Sequence, residues 1–104
     1  MMDNLFNNIP SDLTNEVFTD LVSTHAVRIE RIVSSGQSSP VSGWYDQDEN
    51  EWILVLEGSG TILFDDGIEK TLCKGDYLTI PAHQKHKVSK TDPDNLTIWL
   101  AVFY

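Results

Sequence analysis

From Val27 to its end the chain alternates short apolar runs with turn residues. Val27, Ile29 and Arg31 alternate with Arg28, Glu30 and Ile32, so the first predicted strand mixes apolar and charged positions on both faces. A stretch rich in Ser, Gly and Pro over 34–43 reads as a loop. Further strands are predicted at 52–56, 60–64, 68–72, 77–80, 87–89 and 96–103. Asp65-Asp66-Gly67 is a hairpin signal and Gly75-Asp76 a second turn. Pro81 has no amide proton to give a ladder, so the strand before it must stop there. Short strands punctuated this way specify an all-β sandwich or barrel. The last strand is almost continuously apolar, which places it centrally or against something outside its own sheet.

The segment before Val27 reads differently. Leu13, Val17, Phe18 and Leu21 follow a helical spacing, with Ser11 and Asp12 ahead of them. The expectation is an N-terminal arm with a short helix over 1–26 and a barrel domain over 27–104. Such an arm covers the barrel or reaches a neighbouring subunit.

Composition narrows the function. A chain of 104 residues, 40% hydrophobic and with three tryptophans, builds one globular core. A net charge of -9 argues against nucleic acid and anionic membranes as partners. No apolar run is long enough for a membrane span, and Met1-Met2-Asp3-Asn4 is not a basic leader. Cys73 is the only cysteine, so no internal disulfide forms and a cytoplasmic location is expected. It reads as structural, and His25 as a surface residue. There is no glycine-rich phosphate loop, no nucleophile elbow and no multiple-cysteine zinc pattern.

Two segments carry candidate chemistry. Gly75 to His86 runs through a turn, a strand and a proline corner, and then holds His83 and His86 three residues apart. Glu51 to Gly58 opens with a carboxylate and closes on a glycine seven residues later. Together they resemble the paired motifs of the cupin superfamily. That family's first motif has two histidines, a glutamate and a glycine seven residues past the glutamate. Its second has glycine, five residues, proline, and a histidine five positions on. Gly75, Pro81 and His86 match the second, and Glu51 with Gly58 the back half of the first. The resemblance implies a cupin-type double-stranded β-helix, a jelly-roll barrel holding a small-molecule ligand or substrate. With the apolar last strand it also implies a homodimer.

Cupin metal centres use three histidines and one glutamate. Counting back from Glu51, the first-motif histidines fall on Tyr45 and Gln47, or on Trp44 and Asp46 with one more spacer residue. The chain therefore keeps Glu51 and His86 and replaces two imidazoles with a phenol and an amide. His83, where the family usually has glycine, is the candidate second imidazole. The resemblance thus implies Glu51, His86, Gln47, His83 and Tyr45 as possible ligands of iron, manganese, nickel or zinc, the donor types suiting any of them. The alternative is that Glu51 and His86 hydrogen-bond each other or the ligand, with no metal. In that case His86 or His83 acts as general base with Tyr45 as acid, or the barrel binds without catalysis as a sensor, its ligand near Trp44 or Tyr45.

Overall fold

A computed structural model of the chain describes residues 2–104. Among these residues there are eight strands and no helix: β1 Val17–Ser23, β2 Arg28–Ser34, β3 Glu51–Glu57, β4 Ser59–Phe64, β5 Glu69–Cys73, β6 Tyr77–Ile80, β7 His86–Thr91 and β8 Thr97–Phe103. They form a five-stranded sheet in the order β1-β2-β8-β3-β6 and a three-stranded sheet in the order β5-β4-β7. Every pairing is antiparallel.

The expected N-terminal helix does not form. Val17–Ser23 pairs with β2 as an edge strand, and Asp12 folds back on the amide and hydroxyl of Thr14 instead of capping a helix. A short isolated helix is marginal in water, and Val17, Phe18, Thr19 and Val22 suit a pleated strand, so sheet pairing prevails over the helical spacing. The residues ahead of β1 lie against the sheet's outer side. The buried Arg31 guanidinium donates to the carbonyls of Leu5, Asn7 and Asn8, and Gln37 donates to that of Leu13.

Turn chemistry places the remaining strands. Gly67 closes the β4–β5 hairpin at φ 88°, its amide donating to the Phe64 carbonyl. Pro81 ends β6, which pairs only with β3 and so needs no further ladder. β8 lies between β2 and β3, and this central position accounts for its apolar character on both faces.

The core fills the space between the sheets, with Ile32, Val55, Ile62, Phe64, Trp99 and Phe103 among its members. Trp99, 2% exposed, donates its indole N–H to Ser34 Oγ and lays its ring over Gly60 of the opposite sheet. A Cβ at Gly60 would overlap that ring, so the missing side chain is what lets the two sheets close over the tryptophan. Gly60→Ala is expected to cost roughly 1–3 kcal/mol through overpacking, read as a lower denaturant midpoint with an unchanged slope.

Candidate functional site

At the end of the barrel where β2, β3 and β7 begin and β8 ends, the sheets part around a cavity of about 240 Å³. Its apolar walls include Ile53, Ile62, Val88, Trp99 and Phe103. Its polar groups are Arg28, Glu30, Ser39, Tyr45, Gln47, Glu51 and His86.

Backbone pairing puts these groups in place. Glu51 opposes Phe103 on β8, which opposes Arg28 on β2, so alternation turns all three toward the interior. Two residues along β2, Glu30 faces the same space opposite Ala101. From the other sheet, His86 opens β7 beside Phe64. The loop after β2 runs alongside β7, with Tyr45 and His86 exchanging both backbone hydrogen bonds at 2.8 and 3.1 Å. That exchange sets the Tyr45 ring 5.6 Å from the imidazole, centroid to centroid.

The imidazole of His86 is 4% exposed as a residue and tightly oriented. Its Nδ1 lies 2.8 Å from the Gln84 carbonyl, an acceptor only, so Nδ1 carries a proton and donates it there. Its Nε2 lies 3.2 Å from Glu51 Oε1. A carboxylate facing a bare nitrogen would be repulsive, so the contact requires a second proton between them. Burial, the largest single influence, disfavours the imidazolium. The Glu51 hydrogen bond, the Gln84 carbonyl and the Glu51 charge together outweigh it and hold the His86 pKa above its ordinary value. The Tyr45 phenol is also pushed up, mainly by burial and further by the charges of Glu16, Glu51 and Glu30, against a lowering hydrogen bond from Ser39. At neutral pH it is a hydrogen-bond donor and not a phenolate.

The candidates named from sequence divide. Glu51, His86, Tyr45 and Gln47 line one cavity. His83 does not join them. Its exposed ring lies between Asp46 and Asp48, with Nδ1 2.9 Å and Nε2 3.2 Å from their carboxylates. Its backbone adopts φ 64°, the left-handed region that favours glycine. The same turn carries the side chain to the rim, where its amide donates to the Gln47 carbonyl. Trp44 also sits on the rim, under the Lys87 ammonium at 4.4 Å. Cys73, read as structural, is exposed on β5, and His25 is at the surface as expected. Glu30 and Arg28 were missed. The mixed faces of the first strand gave no sign of which charges point inward.

The donor set does not fit a tightly held metal. Among the described residues no three His, Cys, Asp or Glu side chains converge to hold an ion. Of the four expected ligands in the cavity, Glu51 and His86 satisfy each other, while Gln47 and Tyr45 are neutral. Closed metal sites take about four ligands and catalytic ones about three.

Residues 30–103 match the cupin domain family. A protein of Ralstonia eutropha JMP134, proposed to be a mannose-6-phosphate isomerase, is 38% identical with a TM-score of 0.91, the match covering 99% of this chain and 96% of that one. A cupin superfamily protein of Desulfitobacterium hafniense DCB-2 is 21% identical, TM-score 0.76, over 91% and 82% of the two chains. An RmlC-like cupin of Desulfovibrio desulfuricans is 20% identical, TM-score 0.76, over 99% and 95%. These last two share the fold. No curated protein matches the chain.

Because the folded-state pKa of His86 is raised, the pair's contribution to stability is fully present below about pH 6.5, the unfolded value, and is lost as pH rises through the folded one. Glu51→Gln is expected to lower stability by about 1–3 kcal/mol at pH 6 and by progressively less toward alkaline pH. Melting curves of both proteins between pH 5 and about 9 test this; parallel profiles would contradict it.

Proposed function

The chain belongs to the cupin domain family, and we propose that it binds a small carbonyl compound in its barrel and moves protons on it without a resident metal. The observation that carries this reading is the His86–Glu51 contact, lodged in a cavity beside the protonated phenol of Tyr45. Above its raised pKa His86 gives up the proton it shares with Glu51. Nε2, with Nδ1 kept protonated by the Gln84 carbonyl, then serves as base for a proton next to the carbonyl of a ligand that displaces the Glu51 contact. Tyr45 gives its hydroxyl proton to the developing oxyanion, and Glu51 stabilises the imidazolium that results. The imidazolium returns the carbon-bound proton to the former carbonyl carbon, and the Tyr45 phenolate takes back a proton from the adjacent hydroxyl, which becomes the new carbonyl, so the isomerisation leaves atoms and charge unchanged. The isomerase assignment proposed for the Ralstonia protein supports this class of reaction. The competing reading is a divalent iron, manganese, nickel or zinc ion held by Glu51, His86, Gln47 and Tyr45.

Incubation with aldoses and ketoses in D₂O, followed by NMR for carbon-bound deuterium, tests the proposal. Incorporation by protein stripped with chelator is expected, falling at least about 100-fold in His86→Ala and in Tyr45→Phe. Activity should rise on the alkaline side of the ordinary histidine value, since the base is free only above its raised pKa. A fully active His86→Ala would remove the mechanism. Elemental mass spectrometry of untagged protein, purified without chelators, decides the competing reading. Near-stoichiometric metal, lost in both Glu51→Ala and His86→Ala, would establish it.

A further inference from the structure

Glu30 has no part in the proton transfer, yet it is one of the costlier residues in the barrel. It lies 9% exposed on β2 and lines the cavity. Among the described residues its only charged contact is Arg28, with Nε 3.7 Å from Oε2, beyond hydrogen-bond distance. Arg28 itself is engaged elsewhere, donating to Glu49 at 3.3 Å and stacking 4.1 Å over the Phe103 ring. A carboxylate held mostly out of water, reached only through the cavity and with no donor within hydrogen-bond distance, is destabilising. Consistent with that, burial raises the Glu30 pKa above its usual range, and the charges of Asp20, Glu51 and Glu49 add to the effect, while Arg28 lowers it.

The other cavity groups define what is missing. Glu51 commits one carboxylate oxygen to His86 and keeps the other. Arg28, shared between Glu30 and Glu49, and the His86 imidazolium offset the inward carboxylates, so these groups carry no net positive charge and are rich in acceptors. Among the residues lining the cavity no cation is left over for an anionic ligand, and the Lys87 ammonium on the rim lies over the Trp44 ring. The walls are apolar and aromatic, suited to the carbon face of a ring. The volume of about 240 Å³ lies below the ~300–1,000 Å³ typical of drug-sized pockets.

We propose that Glu30 is a specificity-determining residue that accepts hydrogen bonds from the hydroxyls of an uncharged polyhydroxylated ligand of monosaccharide size. A phosphorylated or otherwise anionic ligand is excluded by the paired carboxylates. This rests on the reading of the barrel as a small-molecule site and names its ligand class. It separates this chain from any relative acting on a sugar phosphate.

The test is a ¹⁵N–¹H NMR titration of the full chain with three matched sets: neutral hexoses and hexitols, hexosamines, and hexose 6-phosphates. The Trp99 indole and the Tyr45 and His86 amides report on the cavity. At least one neutral compound is expected to shift these signals, its 6-phosphate to bind at least roughly tenfold more weakly, and Glu30→Gln to weaken the neutral compound by about tenfold or more. Glu30→Gln should at the same time melt higher than wild type at pH 7, because it removes a buried charge; this also shows that the variant folds. Tighter binding of the phosphate or the amine, or undiminished neutral binding by Glu30→Gln, would overturn the assignment while leaving the barrel a ligand site. Silence from all three sets would overturn it too. The reading beneath it then falls only if deuterium incorporation is also absent.

Discussion

Glu51 begins a strand of one sheet and His86 a strand of the other, and their side chains meet with one proton between them inside the barrel. That contact closes the sheets at the cavity end, as Trp99 over Gly60 closes them deeper in the core. It also fixes what the cavity can do. An imidazole held at Nδ1 by a backbone carbonyl and at Nε2 by a carboxylate has one tautomer and one direction of proton transfer. Neither partner can be replaced without leaving the other buried and unsatisfied, which is costly in a low-dielectric interior.

The strands were legible because their signals are local. Gly67, Gly75 and Pro81 each impose a backbone event that no tertiary contact overrides, and the strands between them fall within a residue or two of expectation. The segment around Val17 to Leu21 was misread because its apolar spacing suits a helix equally well, and only pairing with β2 decides for a strand. The site was legible where motif spacing fixes a side chain at a strand start, as for Glu51 and His86. It was not legible where direction depends on backbone sign. His83 lies three residues from His86, yet its positive φ sends it to Asp46 and Asp48 on the rim. Glu30 needed the partner strand, since either face of Arg28–Ser34 carries both charge and hydrocarbon.

Tyr45 and Gln47 stand where the cupin resemblance implies two imidazoles. The fold is retained against relatives of about 20% identity, but Tyr45 and Gln47 bring no charge to balance two inward carboxylates. The balance comes instead from Arg28 and from the proton on His86. On the function proposed above, a cavity neutralised in this way takes ligands that bring hydrogen-bond donors and no net charge, and its residues supply proton transfer.

Titration of His86 by ¹⁵N NMR of the imidazole nitrogens reads the shared proton itself. Both nitrogens are expected to stay protonated to a pH above the ordinary histidine value, with a midpoint that Glu51→Gln lowers. A His86 that titrates at or below that value in the wild type, or whose midpoint ignores Glu51→Gln, would contradict that expectation.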